Sequence, residues 1–264
     1  MIEGGKRTKN IENIKTNKPL ISIITVVYNA DYLIEKTILS VINQTYENKE
    51  HIIIDGNSKD KTLEIIKKYD NYISYWLSED DNGLYDAMNK GLGHASGDYV
   101  LFLNAGDTFY ENNTLENIFS SLSYSPDIIY GETMIVDKDF NEIGLRRLKT
   151  PDKLTWKSFR MGMLVCHQSI FIKRSITEPY DTRYKITADY EWVLRMLTKS
   201  KSIYNSGKII SKFLDGGLNK QYFFSALKER FIIMTHYYGF LNTLIVHLYI
   251  PFRFLVFWLK ERRI

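Results

Sequence analysis

Apolar runs and helical patterns alternate along the first 107 residues of the chain. Four runs of β-branched, aliphatic or aromatic residues predict buried strands at residues 20–27, 51–54, 73–77 and 99–103. Between these runs, apolar residues recur at helical spacing, which predicts helices at about 33–42, 61–69 and 85–92. Such alternation is typical of an α/β fold with a mostly parallel central sheet and helices on both faces.

Each of the four predicted strands ends in a polar loop that carries Asn or Asp. Right-handed crossovers place the carboxyl ends of parallel strands at one edge of a sheet, where open α/β sheets bind ligands. We therefore expect four loops to converge there: residues 28–31, 55–60, 79–83 and 104–107.

The pattern changes after residue 107. A helix near 115–122 precedes short apolar runs at 128–130, 134–136 and 143–145, which predict antiparallel additions to the sheet. A further strand is predicted at 167–172 and an amphipathic helix at 188–197. We expect a flexible lead-in at residues 1–18, one domain at 19–220 with halves at 19–107 and 108–220, and a C-terminal helical segment at 221–264.

The C-terminal segment has a second possible role, at a membrane. Residues 240–259 are mostly Leu, Ile, Val and Phe, but His247, Pro251 and Arg253 argue against a clean transmembrane span. Basic residues close the segment, so an amphipathic element on a membrane surface fits the pattern. The alternative is a helix packed on the domain or on a partner subunit.

Composition excludes some classes of protein. The net charge of +4 is mild and shows no concentrated basic stripe, which argues against a nucleic-acid binder. The single cysteine, Cys166, excludes an internal disulfide and a multi-cysteine zinc site. The polar residues 1–18 lack the apolar core of a signal peptide, so we expect none. Nineteen tyrosines suit a surface that stacks on rings and bonds hydroxyls, or equally ordinary packing.

Two strand-end loops carry the first candidates for chemistry. Asn104 and Asp107 follow the fourth strand, and a carboxylate there suits a hard divalent cation that also holds phosphate oxygens; a plain turn is the alternative. Asp55 ends the second strand beside Gly56, which lets a ligand approach the backbone. Its carboxylate suits a base N–H or ribose hydroxyls, with helix capping as the alternative.

Further candidates lie on the helices and in the second half. Asp86 and Asn89 share one helix face with Lys90, which is either a binding face or a solvated one. Asp189 begins a helix, where it is either a general base or a cap. His167 and Gln168 are candidates for acceptor contact, and a structural histidine is the competing interpretation.

Together, these motifs resemble family 2 glycosyltransferases, which are nucleotide-sugar enzymes of the Rossmann-like GT-A type. The resemblance extends from about residue 19 to 215 and is nearest to the branch that builds bacterial exopolysaccharide, colanic acid, capsule and O-antigen. The matching motifs are residues 23–29, 39–46, 54–62, 83–91 and 97–107, with 213–217 near the acceptor loop.

The resemblance implies roles for individual residues. Asp55 would bind the nucleotide base, Asp81 would lie near the nucleotide or sugar, and Asp107 would stand in the D-x-D region that binds Mg²⁺ or Mn²⁺. Asp189 would deprotonate the acceptor hydroxyl. The nucleotide-sugar set is completed by Tyr28, Asn29, Asp86, Asn89 and Asn104, and the acceptor side by His167 and Gln168.

The chain departs from the family pattern at two points. The usual two or three acidic residues are reduced to one, Asp107, and Met88 replaces a common arginine. These departures predict weaker metal dependence and one lost phosphate contact.

The resemblance implies an inverting transferase of surface polysaccharide synthesis that acts from the cytoplasm, peripheral on the inner face of the cell membrane. Its donor would be a nucleotide-diphosphate sugar, with UDP favoured, and its acceptor a glycan or polyprenyl-linked glycan. The alternative is a non-catalytic nucleotide-sugar-binding scaffold of a membrane assembly. Nucleotidyl transfer is disfavoured because no Gly-rich phosphate loop follows the first strand.

Overall fold

The computed structural model describes residues 1–11, 17–215 and 222–249. Within these residues, ten strands form one sheet. The strands are β1 (Ile2–Gly4), β2 (Ile21–Val27), β3 (Lys49–Asp55), β4 (Tyr75–Ser78), β5 (Tyr99–Phe102), β6 (Thr108–Phe109), β7 (Ile128–Val136), β8 (Glu142–Leu145), β9 (Ile170–Lys173) and β10 (Ile203–Leu214). The helices are α1 (Asp31–Ile42), α2 (Thr62–Lys68), α3 (Leu84–His94), α4 (Thr114–Phe119), α5 (Ala188–Lys199), α6 (Phe223–Tyr238) and α7, residues 240–249.

The four predicted parallel strands are confirmed. They lie in the order β4-β3-β2-β5, and every adjacent pair is parallel. All seven residues of β2 are buried, because alternate side chains enter cores on opposite faces of the sheet. Ile24 packs with Met88 of α3 on one face, while Ile23 packs with Val41 of α1 on the other. The four strand-end loops therefore share one edge.

The second half extends the sheet from β5. Strand β9 pairs antiparallel with both β5 and β7, and β7 pairs parallel with β10. The runs predicted as separate strands at 128–130 and 134–136 are one strand, β7. Gly131 joins them, and a Cβ there would meet the Lys208 carbonyl oxygen at 2.4 Å, because β10 bulges against β7 at this point.

The strand predicted at 167–172 begins later, at Ile170. His167–Ser169 instead form a 3₁₀ turn, which the Ser169 N–H closes by donating to the Cys166 carbonyl at 2.9 Å. In a strand, His167 and Gln168 would point to opposite faces of the sheet. In the turn, His167 contacts Asp189 and Gln168 contacts Asp107.

The described part of the predicted lead-in is ordered against the domain. β1 pairs antiparallel with β4, and Arg7 forms an ion pair with the buried Glu50. A buried carboxylate requires such a partner. Residues 2–4 therefore form an edge strand and the turn at residues 7–9 is anchored to the domain, where flexibility was expected. Residues 12–16 of the lead-in lie outside the described residues.

The C-terminal segment is helical through residue 249, as expected. Ile233 and Met234 of α6 enter the core that contains α3 and α5. Among the described helices, none is long and apolar enough to cross a membrane. Residues 250–264, on which the rest of this prediction falls, lie outside the described residues.

Candidate active site

Two of the converging loops are joined into one rigid unit. Asn29 adopts a left-handed conformation with φ 47°. Its N–H donates to Ser58 Oγ at 2.8 Å, and its Oδ1 accepts from the Lys59 N–H at 2.8 Å. Asp60 Oδ1 accepts from the N–H of Thr62, the first residue of α2, at 2.9 Å. The loops after β2 and β3 thus form a preorganised floor at the carboxyl edge.

Asp55 lies inside this floor. Its carboxylate is fully buried and accepts from the Ser78 hydroxyl at 2.6 Å and from the Ser58 N–H at 3.2 Å. These bonds join the loop after β3 to the end of β4, so Asp55 has a structural role other than helix capping. The contact between Asp55 and a nucleotide base stays a prediction.

Tyr28, Gly56 and Asp81 converge above the floor. A Cβ at Gly56 would meet Asp81 Oδ2 at 2.5 Å and Tyr28 Cδ2 at 3.3 Å, so only glycine leaves the carboxylate in place. Asp81 Oδ1 also accepts from the Gly83 N–H at 2.8 Å. Tyr28 is 62% exposed, and its ring is available to stack on a flat ligand.

Asp86 and Asn89 are directed elsewhere. Asp86 accepts from the Asn82 N–H at 2.9 Å at the start of its own helix. Asn89 exchanges two hydrogen bonds with the Tyr180 backbone, at 2.6 and 3.0 Å. These polar groups already bind the protein itself, and contact of either residue with a nucleotide sugar stays a prediction.

The fourth loop meets the second half of the chain in a line of polar groups. Asn104 Nδ2 lies 3.5 Å from His167 Nε2, and His167 Nδ1 lies 3.4 Å from Asp189 Oδ2. Beside this line, Gln168 Nε2 donates to Asp107 Oδ2 at 2.9 Å. The 3₁₀ turn makes both contacts possible, since it sends His167 toward Asp189 and Gln168 toward Asp107. Five predicted site residues are thereby brought together.

The two carboxylates of this cluster have opposite electrostatic environments. Burial raises the pKa of Asp107 to about 6, although Gln168 donates to it. Burial also disfavours the charge of Asp189, but His167, the Tyr190 N–H and Arg230 together hold its pKa below the usual value. Such divergence between neighbouring carboxylates is common where two groups have different chemical tasks.

Asn104 and Asp107 offer oxygen ligands for a cation. Asn104 Oδ1 is buried and has no hydrogen-bond partner among the described residues, and it lies in the same turn as the Asp107 carboxylate. Carboxylate and amide oxygens suit Mg²⁺ or Mn²⁺, which completes its shell with substrate phosphates and water. Within the described residues, no group of three or more His, Cys, Asp and Glu forms a larger metal site.

The site also contains residues that the sequence patterns did not indicate. The Tyr85 hydroxyl lies 3.3 Å from Asp189 Oδ1. Arg230 of α6 lies over the Tyr190 ring, next to Asp189. Tyr85 lies within the motif at residues 83–91 but has no predicted role in the site, and Arg230 belongs to no motif. Both contacts join distant parts of the chain, so local spacing carried no signal for either.

The chain is similar to known glycosyltransferases in sequence. The model of glycosyl transferase family 2 matches residues 22–180. An uncharacterised glycosyltransferase of Mycobacterium tuberculosis is 34% identical over 187 residues, which cover 68% of this chain and 70% of the relative. A PGL/p-HBAD biosynthesis glycosyltransferase of Mycobacterium bovis is 32% identical over 185 residues, covering 67% and 69%.

Solved structures share the fold. Staphylococcus aureus TarS 1–349 in complex with UDP-GlcNAc matches with a TM-score of 0.65 at 16% identity, covering 82% of this chain and 66% of that one. This chain therefore spans just under two thirds of the TarS fragment. The Pyrobaculum calidifontis mannosyltransferase PcManGT in complex with GDP-Man and Mn²⁺ matches with a TM-score of 0.58 at 14% identity, covering 88% and 74%. At these identities the likeness concerns the fold alone.

Proposed function

The chain belongs to glycosyl transferase family 2, and from this membership we propose that it is an inverting transferase of surface polysaccharide synthesis. In this proposal a sugar moves from a nucleotide-diphosphate sugar to a hydroxyl of the acceptor. Residues 19–107 form the donor half and residues 108–220 the acceptor half. One observation carries the proposal. Asp189, from the second half, contacts His167, and His167 contacts Asn104 in the loop of residues 104–107 that belongs to the first half.

The proposed chemistry assigns one task to each polar group. Asp189 is ionised at neutral pH and accepts the proton of the acceptor hydroxyl, whose oxygen attacks the anomeric carbon in line. His167 orients the Asp189 carboxylate, since its other nitrogen lies near Asn104. Asn104 and Asp107 would hold Mg²⁺ or Mn²⁺, which when bound neutralises the charge of the leaving diphosphate.

The donor is proposed to be a UDP-sugar bound along the carboxyl edge. Tyr28 stacks on the base in this proposal, while Asn29, Asp55 and Asp81 shape the nucleotide pocket. Two solved structures of the same fold are complexes with UDP-GlcNAc and GDP-Man, and these complexes support a nucleotide-sugar donor. Gln168 keeps Asp107 in position beside the donor phosphates.

The acceptor is proposed to be a glycan or polyprenyl-linked glycan. The protein is proposed to bind it at the inner face of the cell membrane. Helices α6 and α7 expose large apolar side chains, including Phe224 at 84% and Leu241 at 74%. Exposed apolar surface of this kind suits contact with lipid. The name of the mycobacterial PGL/p-HBAD relative adds support for a role in glycan assembly.

A nucleotide screen tests the proposal. The melting temperature of the purified chain is measured with UDP, GDP and their sugars, with Mn²⁺ and again with a chelator. We expect UDP-sugars with Mn²⁺ to raise the melting temperature and to be hydrolysed slowly to UDP. If no nucleotide raises it, the proposal fails. If the chain binds a nucleotide sugar but transfers its sugar neither to an acceptor nor to water, the non-catalytic scaffold is favoured instead.

A further inference from the structure

Arg230 of α6 is a charged group that helps to lower the pKa of Asp189, but the proposed mechanism gives its N–H donors no partner. Its Nε is buried and has no hydrogen-bond partner among the described residues. Its guanidinium carbon lies 5.2 Å from the centre of the Tyr190 ring, and Tyr190 follows Asp189 directly. A guanidinium held against a ring keeps its in-plane N–H donors available for an anion.

The neighbouring residue, Glu229, fixes Arg230 in this place. The Glu229 carboxylate accepts from the backbone N–H groups of Lys185 at 2.8 Å, Ile186 at 3.0 Å and Thr187 at 2.9 Å. These three residues directly precede α5, so α6 is docked on the start of the helix that carries Asp189. The position of Arg230 is therefore built into the fold and does not depend on a ligand.

Arg230 stands at a boundary on its helix. Ile233 and Met234, one turn further along, are fully buried. Phe223 and Leu227 lie seven and three residues earlier, hence on the same face, and they are 60% and 42% exposed. A cation beside the base Asp189 is thus continuous with an exposed apolar surface.

We propose that Arg230 binds a phosphate oxygen of the acceptor, and that this acceptor is an amphiphilic lipid diphosphate whose chain lies along Phe223 and Leu227. The inference rests on the proposed transferase function and names the group by which that site would recognise its acceptor. The donor diphosphate would be held through the cation at Asn104 and Asp107, and Asn104 lies across His167 from Asp189. Arg230 lies on the Asp189 side, where the acceptor hydroxyl must be.

Farnesyl diphosphate is the probe for a binding test, and saturating UDP with Mn²⁺ keeps the donor site filled. Arg230→Gln removes the charge, Arg230→Lys keeps it, and Lys228→Gln removes an exposed charge from the same helix as a matched control. Since a charge-assisted bond is lost, we expect Arg230→Gln to weaken farnesyl diphosphate binding by about tenfold or more. Arg230→Lys should retain most of the affinity, and Lys228→Gln should match the unmodified chain.

Three outcomes would overturn the inference while leaving the transferase proposal intact. Arg230→Gln could bind farnesyl diphosphate as tightly as the unmodified chain does. It could instead lose affinity for UDP, which would assign Arg230 to the donor. Inorganic pyrophosphate could compete as strongly as farnesyl diphosphate, which would indicate a free phosphate ligand without a lipid. Failure of the unmodified chain to bind UDP, by contrast, would contradict the transferase proposal itself.

Discussion

Replacing Asp107 by Asn should stabilise the protein at alkaline pH while removing the carboxylate proposed to bind the cation. Asp107 is only 5% exposed, and burial raises the pKa of its carboxyl from 3.8 to about 6. The folded state therefore binds this proton more tightly than the unfolded state does. Stability from this group is fully present below pH 3.8 and is lost as the pH rises through about 6.

The size of the effect follows from the pKa difference. A shift of about 2 units makes the ionised carboxyl cost roughly 3 kcal/mol of folding free energy above pH 7. Asn carries no charge, but it loses one of the two acceptor bonds, to Gln168 or to the Leu214 N–H, at a cost of about 1 kcal/mol. The variant should therefore gain about 2 kcal/mol at pH 8 and lose about 1 kcal/mol at pH 4.

Urea denaturation at pH 4 and pH 8, with chelator present and nucleotide absent, measures both values. Asp137→Asn is a control of opposite sign, because hydrogen bonds from Asn141 lower the pKa of that exposed carboxyl. Asp137→Asn should lose more stability at pH 8 than at pH 4. If Asp107→Asn were less stable than the unmodified protein at pH 8, or if the difference did not change with pH, the electrostatic reasoning for the site would be wrong.

Three further substitutions test other parts of the account. Gly56→Ala should weaken UDP binding severalfold in calorimetry because its Cβ displaces Asp81, whereas Gly93→Ala, with open space around its Cβ, should bind UDP normally. Burial lowers the pKa of His51 to about 3, so this histidine resists protonation and the folded state loses stability as the pH falls below 6.5. His51→Gln should shrink the stability loss between pH 7 and pH 4 by about 3 kcal/mol in urea titrations. Glu229→Ala leaves three N–H groups unpaired and should cost about 3 kcal/mol in the same assay, with Glu229→Gln less damaging.

The parallel half of the fold was predictable because its strands are apolar on both faces. Residues 20–27 and 99–103 are nearly continuous apolar runs, which can be recognised in the sequence alone. The order of the strands follows from short right-handed crossovers. Strand β10 was not predicted, since most of its residues are only partly buried and its bulge interrupts the alternation. Its pairing with β7 joins residues about 75 positions apart, which no local pattern records.

The polar cluster was predictable where a polar residue lies in a turn after an apolar strand, as Asn104 and Asp107 do, or at the start of an amphipathic helix, as Asp189 does. It was not predictable where a partner lies far along the chain. The amide of Asn89 bonds the backbone of Tyr180, 91 residues away, and no local pattern indicates this partner. Arg230 was missed for the same reason, because its proximity to Asp189 exists only after α6 docks on the start of α5.

The most direct test of the central claim is the effect of Asp189→Asn on turnover and on donor binding, measured in the same preparation. The substitution keeps the size of the side chain but removes the proton acceptor. We predict that release of UDP from the UDP-sugar selected by the nucleotide screen falls by about a hundredfold or more, while UDP affinity stays within about twofold. Unchanged turnover in a folded Asp189→Asn variant that still binds UDP would contradict the role of Asp189 as the base.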